Sequence, residues 1–138
     1  MSYLGDVNFW LALALGDHTD HAPALAWFLR VEDPVCFCRT TQMSFLRLLG
    51  NRGVVAKPFG PADSWSLYRQ TLRRPNVAFA SEPDRIEEVW AGHLSGWTSP
   101  NHWVDSYLAA FAISGGYTLV TFDKGFSKYR GLRYVIPA

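Results

Sequence analysis

Residues 118–123 read Thr-Leu-Val-Thr-Phe-Asp, a run rich in β-branched and aromatic side chains that ends in a carboxylate. This is the clearest strand of the chain, Thr118–Phe122, with Asp123 standing just past it. Upstream, Gly115 and Gly116 close a helix predicted over His102–Ser114. Downstream, a short helical turn and Gly131 lead to a last strand, Arg133–Ile136. The same strand-then-helix grammar recurs from the beginning of the chain. Tyr3–Gly5 reads as a short strand running into Asp6, and Val7–Leu15 continue as a buried helix that exits at Gly16, Asp17 and Asp20. A helix over His21–Glu32 tolerates Pro23 in its first turn and places Leu25, Phe28 and Leu29 on one face. Pro34 opens a strand, Val35–Cys38. Thr40 or Thr41 is expected to cap the next helix, which carries Phe45, Leu46, Leu48 and Leu49 and stops at Gly50 and Asn51. After a loop from Arg52 to Gly60, a helix over Pro61–Arg73 precedes a strand at Val77–Phe79, and a further helix spans Asp84–Leu94 before the turn-rich Ser95–Asn101. Five strands separated mostly by helices, with no internal repeat, predict an α/β domain with a parallel sheet flanked by helices on both faces.

Composition narrows the function classes. With 138 residues, 49% of them hydrophobic and 18% charged, the chain suits one domain, residues 1–138, and is too short for two. A formal charge of +1 argues against a protein held on nucleic acid by bulk charge, so any RNA contact must be local. The apolar run Phe9–Leu15 is far below the roughly 20 residues that span a bilayer, and no basic segment precedes it, so a soluble cytoplasmic protein is expected. Cys36 and Cys38 are the only cysteines. At i and i+2 in a strand they share one side of the sheet and read as core packing.

The acids carry the chemistry. In an open parallel sheet, functional groups gather at the carboxyl ends of the strands, where strand order reverses. Asp6 ends the first strand, Asp123 follows the strand Thr118–Phe122, and Asp105 lies in the first turn of a helix whose start faces that edge. Three carboxylates brought together raise one another's pKa unless a cation neutralises them. Oxygen ligation with waters retained suits Mg²⁺ or Mn²⁺, and phosphodiester hydrolysis is the matching reaction. Each acid also has an ordinary reading as a turn former or helix cap. The four histidines fall in a polar loop and at helix starts and read as solvated.

At these residues the sequence resembles the PIN-domain family, and within it the VapC-like toxins. Asp6-Val7-Asn8 followed by Leu11, Ala12 and Leu13 resembles the family's first acidic motif. Val104-Asp105-Ser106-Tyr107-Leu108-Ala109-Ala110-Phe111-Ala112 resembles the central one, and Thr121-Phe122-Asp123-Lys124-Gly125-Phe126 the closing one. The resemblance spans nearly the whole chain. It implies a parallel sheet of about five strands, a ribonuclease dependent on Mg²⁺ or Mn²⁺, homodimerisation, and a cognate VapB-like antitoxin that covers or distorts the active site. The family often places a second acid three residues before a Phe-aliphatic-Arg segment. Here Gln42 stands there, before Phe45, Leu46 and Arg47, and its amide oxygen could ligate a metal or its water without supplying charge.

On this reading Asp6, Asp105 and Asp123 hold the metal, Asn8 orients an acid or a water, and the Thr121 hydroxyl steadies Asp123 or a phosphate. Arg39, Arg47, Lys124, Lys128 and Arg130 flank the acidic edge in sequence and are candidate RNA contacts, with Trp97 a candidate platform for an unpaired base. Two alternatives stay open: a PIN fold that binds RNA or protein without cleaving, and a flavodoxin-like receiver. The receiver needs a phosphorylatable Asp after its third strand, where this chain has Ser81 and Glu82.

Overall fold

The computed structural model describes residues 1–96 and 99–138. Five short strands, β1 (Ser2–Gly5), β2 (Val35–Phe37), β3 (Val77–Phe79), β4 (Tyr117–Val120) and β5 (Tyr134–Val135), form one sheet in the order β3-β2-β1-β4-β5. Every neighbouring pair is parallel, with Leu4 registered on both Cys36 and Leu119. The helices are α1 (Val7–Ala14), α2 (His21–Arg30), α3 (Arg39–Leu49), α4 (Pro61–Leu72), α5 (Ile86–Ala91) and α6 (His102–Gly115). A 3₁₀ turn covers Lys124–Lys128.

Strand alternation divides the core in two. Tyr3, Val35, Phe37, Val77 and Val120 face one side, where α1 to α4 supply Phe9, Trp10, Trp27, Phe28, Phe45, Leu49 and Tyr68. Leu4, Cys36 and Leu119 face the other, against Ile86, Leu108 to Ala112, Phe126 and Tyr129. The result is three layers, helices on both faces of a parallel sheet, as the alternation of elements predicts. Cys36 and Cys38 share the second core and are buried there, the packing role expected of them.

The end of β1 is held tightly. Trp10 stacks on Phe37 with centroids 3.9 Å apart and donates from Nε1 to the Gly5 carbonyl at 3.0 Å. A Cβ on Gly5 would lie 2.5 Å from that same Nε1, so only glycine lets the indole close over the strand. Asp6 therefore leaves the sheet in a direction set by core packing.

Several boundaries differ from expectation. Neither Thr40 nor Thr41 caps α3: Cys38 is the N-cap, and Thr41 sits three residues in, where its hydroxyl accepts from the Cys38 N–H at 3.0 Å. The helix predicted over Asp84–Leu94 shrinks to Ile86–Ala91, because Arg85 takes a left-handed conformation (φ 63°) that cannot continue a helix backwards. Strand β4 ends at Val120, and Thr121 and Phe122 belong to the turn that carries Asp123. Among the described residues no helix is long and apolar enough to cross a membrane.

Candidate active site

The sheet order reverses between β1 and β4, the place where an open parallel sheet leaves a crevice at its carboxyl edge. Asp6 follows β1 and caps α1, its Oδ1 accepting from the Val7 N–H at 2.7 Å. Capping uses one oxygen and leaves the other for the crevice. Oδ2 accepts from the Thr121 hydroxyl at 2.8 Å and from Asn8 Nδ2 at 3.2 Å. Asn8 in turn accepts the Phe122 N–H on Oδ1 at 3.0 Å, and Thr121 Oγ1 accepts the Asp123 N–H at 3.0 Å. Asn8 and Thr121 thus stitch the loop after β1 to the loop after β4, and Asp123 caps the 3₁₀ turn by accepting from the Gly125 N–H at 2.8 Å. The capping role expected of Asp6 and Asp123 is seen, and on Asp6 it occupies one oxygen while the other faces Thr121 and Asn8.

Electrostatics shows that Asp105 joins them. Asp6 is only 6% exposed, and burial, partly offset by the bonds from Thr121 and Val7, pushes its carboxyl up to about 6. The charges of Asp105 and Asp123 push in the same direction. Asp105, half-buried in the first turn of α6, is raised by burial and by Asp123, while Lys128 and His102 pull it back. All three acids therefore feel one another across the crevice.

The donor set is made of oxygen, and Asp6 is a buried carboxylate whose neighbours add negative charge rather than remove it. That is the environment a hard divalent cation relieves. Among the described residues, no three His, Cys, Asp or Glu side chains cluster closely enough to hold a metal by themselves. Asp6, Asp105 and Asp123 are the oxygen donors at this edge that could share an ion, and such an ion would have to keep waters among its ligands.

The remaining sequence candidates separate into two groups. Arg39 opens α3 at the same edge, donates from its guanidinium to Gln42 Oε1, and stacks 4.8 Å over the Phe79 ring. Gln42 is buried, and its amide oxygen already serves Arg39. Lys124 follows Asp123 directly, and Lys128 and Arg130 lie on the same side of the molecule as Asp105. Arg47 is a correction. It stands in the last turn of α3 and lines a groove with Phe59 and Trp65, at the end of the helix away from the acids, because a helix after a parallel strand runs back along the sheet. Trp97 lies outside the described residues.

Two residues near the acids carry little signal in the sequence. His102 lies near the site by sequence and reads there as a surface residue at a helix entry, yet it precedes Asp105 by three residues and so shares its helix face, and that spacing is the signal that places it. Tyr129 has no local signature. Its place becomes visible only once the segment after β4 is folded against α6.

The PIN domain model matches residues 3–132. This chain belongs to the PIN-domain family. It is 41% identical over 137 residues to Ribonuclease VapC41 of Mycobacterium tuberculosis, an alignment covering 94% of each chain. It is 29% identical over 146 residues to Ribonuclease VapC25 of the same organism, covering 98% of each. Among solved structures, VapBC2 from Rickettsia felis bound to a promoter DNA fragment aligns over the whole of both chains with a TM-score of 0.71 at 14% identity. The Mycobacterium tuberculosis toxin VapC20, described as cleaving the sarcin-ricin loop, aligns with a TM-score of 0.67 at 19% identity, over 95% of this chain and 98% of that one. The PIN-domain resemblance seen in the three acidic motifs and the predicted α/β fold both stand.

Proposed function

We propose that this chain is a VapC-like endoribonuclease toxin that hydrolyses RNA phosphodiester bonds with Mg²⁺ or Mn²⁺ held by Asp6, Asp105 and Asp123. The observation that carries the reading is the buried Asp6 carboxylate, tied by Thr121 and Asn8 to the loop of Asp123 and within electrostatic reach of Asp105. Likeness to proteins named ribonuclease VapC supports it. When bound, the ion lowers the pKa of a water and stabilises charge growing on the phosphate. The chain's own residues do the rest. Thr121 and Asn8 hold Asp6 in place, the Gly125 N–H orients Asp123, and Lys128 and His102 moderate the charge on Asp105.

The deciding experiment incubates purified protein with RNA in EDTA and then with added Mn²⁺. Cleavage is expected only with the metal, leaving 5′-phosphate and 3′-hydroxyl ends. Metal-independent cleavage would overturn the reading, and so would 2′,3′-cyclic phosphate products, which would mean that the ribose hydroxyl attacks. The binding-only alternative draws on Gln42, whose amide oxygen is engaged by Arg39 and brings no charge. It predicts RNA retention without any metal-dependent breakdown.

Two partners follow from the same reading. A VapB-like antitoxin is proposed from the VapBC complexes this fold resembles, and co-expression with it is expected to relieve growth arrest. A homodimer is proposed through the exposed apolar side chains of Val104 and Trp103, 48% and 49% exposed, at a groove of about 440 Å³ lined also by Trp90, Tyr107, Arg39, Thr40 and Glu82. Val104→Glu puts a charge at its centre and is expected to convert a dimer into a monomer in light scattering. An unchanged mass would place the dimer contact elsewhere.

A further inference from the structure

Beside the acids, a cleft of about 640 Å³ is walled by His93, His102, Lys128, Tyr129 and Arg130, with no carboxylate among the residues that line it. In a chain of net charge +1, this is a local concentration of positive charge. Its relation to the acidic edge is close. Lys128 and His102 are the groups whose positive charges act on Asp105, and the Tyr129 phenol is pushed up to about 12 by burial and by the charges of Asp105 and Asp123. Cleft and crevice are therefore neighbouring parts of one surface.

The cleft is built to present donors. Lys128 Nζ lies 2.9 Å from His102 Nε2 and 5.3 Å from the centre of the Tyr129 ring, two contacts that hold a long, flexible ammonium in place. Arg130 adds a guanidinium, the group best shaped for phosphate oxygens. The Tyr129 hydroxyl is buried and has no hydrogen-bond partner among the described residues, although Tyr129 as a whole is only 5% exposed. Buried polar groups are normally satisfied, and one left over beside two cations points to an anionic ligand.

Resting on the nuclease reading above, we propose that this cleft is a subsite for a phosphate of the RNA strand flanking the one that is cleaved, with Lys128 and Arg130 supplying charge and Tyr129 a hydrogen bond. A strand whose scissile phosphate sits at Asp6, Asp105 and Asp123 must carry its next phosphates away along the surface. The cleft is a basic exit beside the acidic centre. It answers how a nearly neutral protein holds a polyanion: a few placed cations next to the chemistry replace a broad basic face.

The test measures binding separately from cleavage. Fluorescence anisotropy with a labelled single-stranded RNA is run in EDTA, in an Asp123→Asn background, against Lys128→Ala, Tyr129→Phe and, as a control, Lys57→Ala in the exposed loop between α3 and α4. Tyr129→Phe keeps the ring contacts with Phe126 and His93 and removes one oxygen. It is expected to weaken binding about tenfold, the loss of one hydrogen bond to a charged group. Lys128→Ala is expected to weaken it by a similar factor and to reduce the salt dependence by about one charge. Lys57→Ala is expected to do neither. Equal losses in Lys57→Ala and Lys128→Ala, or no loss in either cleft variant, overturn the subsite. Competition by inorganic phosphate or by an acidic peptide at the affinity of the RNA would also overturn it, in favour of a small-anion or protein site. Failure of the nuclease reading itself looks different: metal-dependent cleavage would then survive Asp6→Asn whatever the cleft variants do to binding.

Discussion

Asp6→Asn is expected to reduce metal-dependent RNA cleavage by at least about a hundredfold while leaving the fold intact. Loss of a partner that merely orients a metal ligand already costs about 10- to 100-fold in affinity or activity, so loss of the ligand's own charge sets its floor near the upper figure. The substitution is close to isosteric. The carbonyl of the introduced amide can still accept the Val7 N–H that starts α1, and its NH₂ can donate to the Thr121 hydroxyl. Only the bond from Asn8 Nδ2 loses its acceptor. Calorimetric titration with Mn²⁺ is the companion measurement, with uptake by the wild type and none by the variant. Wild-type rates in Asp6→Asn would remove the metal from the account. Lost activity with normal Mn²⁺ uptake would instead confine Asp6 to ordering the two loops.

Much of this site is legible in the amino-acid order alone, for identifiable reasons. A charged residue directly after a run such as Thr118–Phe122 or Tyr3–Gly5 must leave the sheet at its carboxyl edge, and strand order then brings Asp6 and Asp123 together. Asp105 follows because a first-turn residue of the helix entering β4 starts from that edge. The failures are equally physical. Closeness in sequence groups Arg47 with the acids, yet eight residues of α3 carry it about 12 Å along the helix from Arg39. The start of α5 depends on a left-handed Arg85, which no propensity marks. Cys38 takes the capping place expected of a threonine because Thr41 reaches back to its N–H from three residues inside the helix. The basic cleft is the hardest to foresee. It is assembled from the α5–α6 loop, the start of α6 and the segment after β4, and none of these is distinctive alone.

The metal-free protein is expected to lose stability as pH rises through the window from about 4 to about 6, the reverse of the usual behaviour of a paired carboxylate. The sign follows from Asp6. Its folded pKa of about 6 lies above the unfolded value of 3.8, chiefly because burial disfavours the charged form. Between those values the folded state binds more protons than the unfolded one. The stabilisation by the neutral carboxyl is therefore complete below about 4 and gone above about 6. Roughly two pKa units correspond to about 3 kcal/mol. Asp105, also raised by burial, acts in the same direction. At pH 7 without metal, Asp6→Asn is consequently expected to be more stable than the wild type, by about 2 kcal/mol once the bond from Asn8 is subtracted. The order reverses on adding cation. Mn²⁺ at a hundred times its dissociation constant stabilises the wild type by about 2.7 kcal/mol and leaves the variant unmoved. Thermal melts of both proteins at pH 5 and 7, with and without Mn²⁺, give all four comparisons. A wild type that gains stability on going from pH 5 to pH 7 in EDTA would show that Asp6 is not held in the desolvated, cation-seeking state. A buried charge that weakens the fold alone and strengthens it with an ion is what separates a ligand from a cap, since a cap contributes the same hydrogen bond in both conditions.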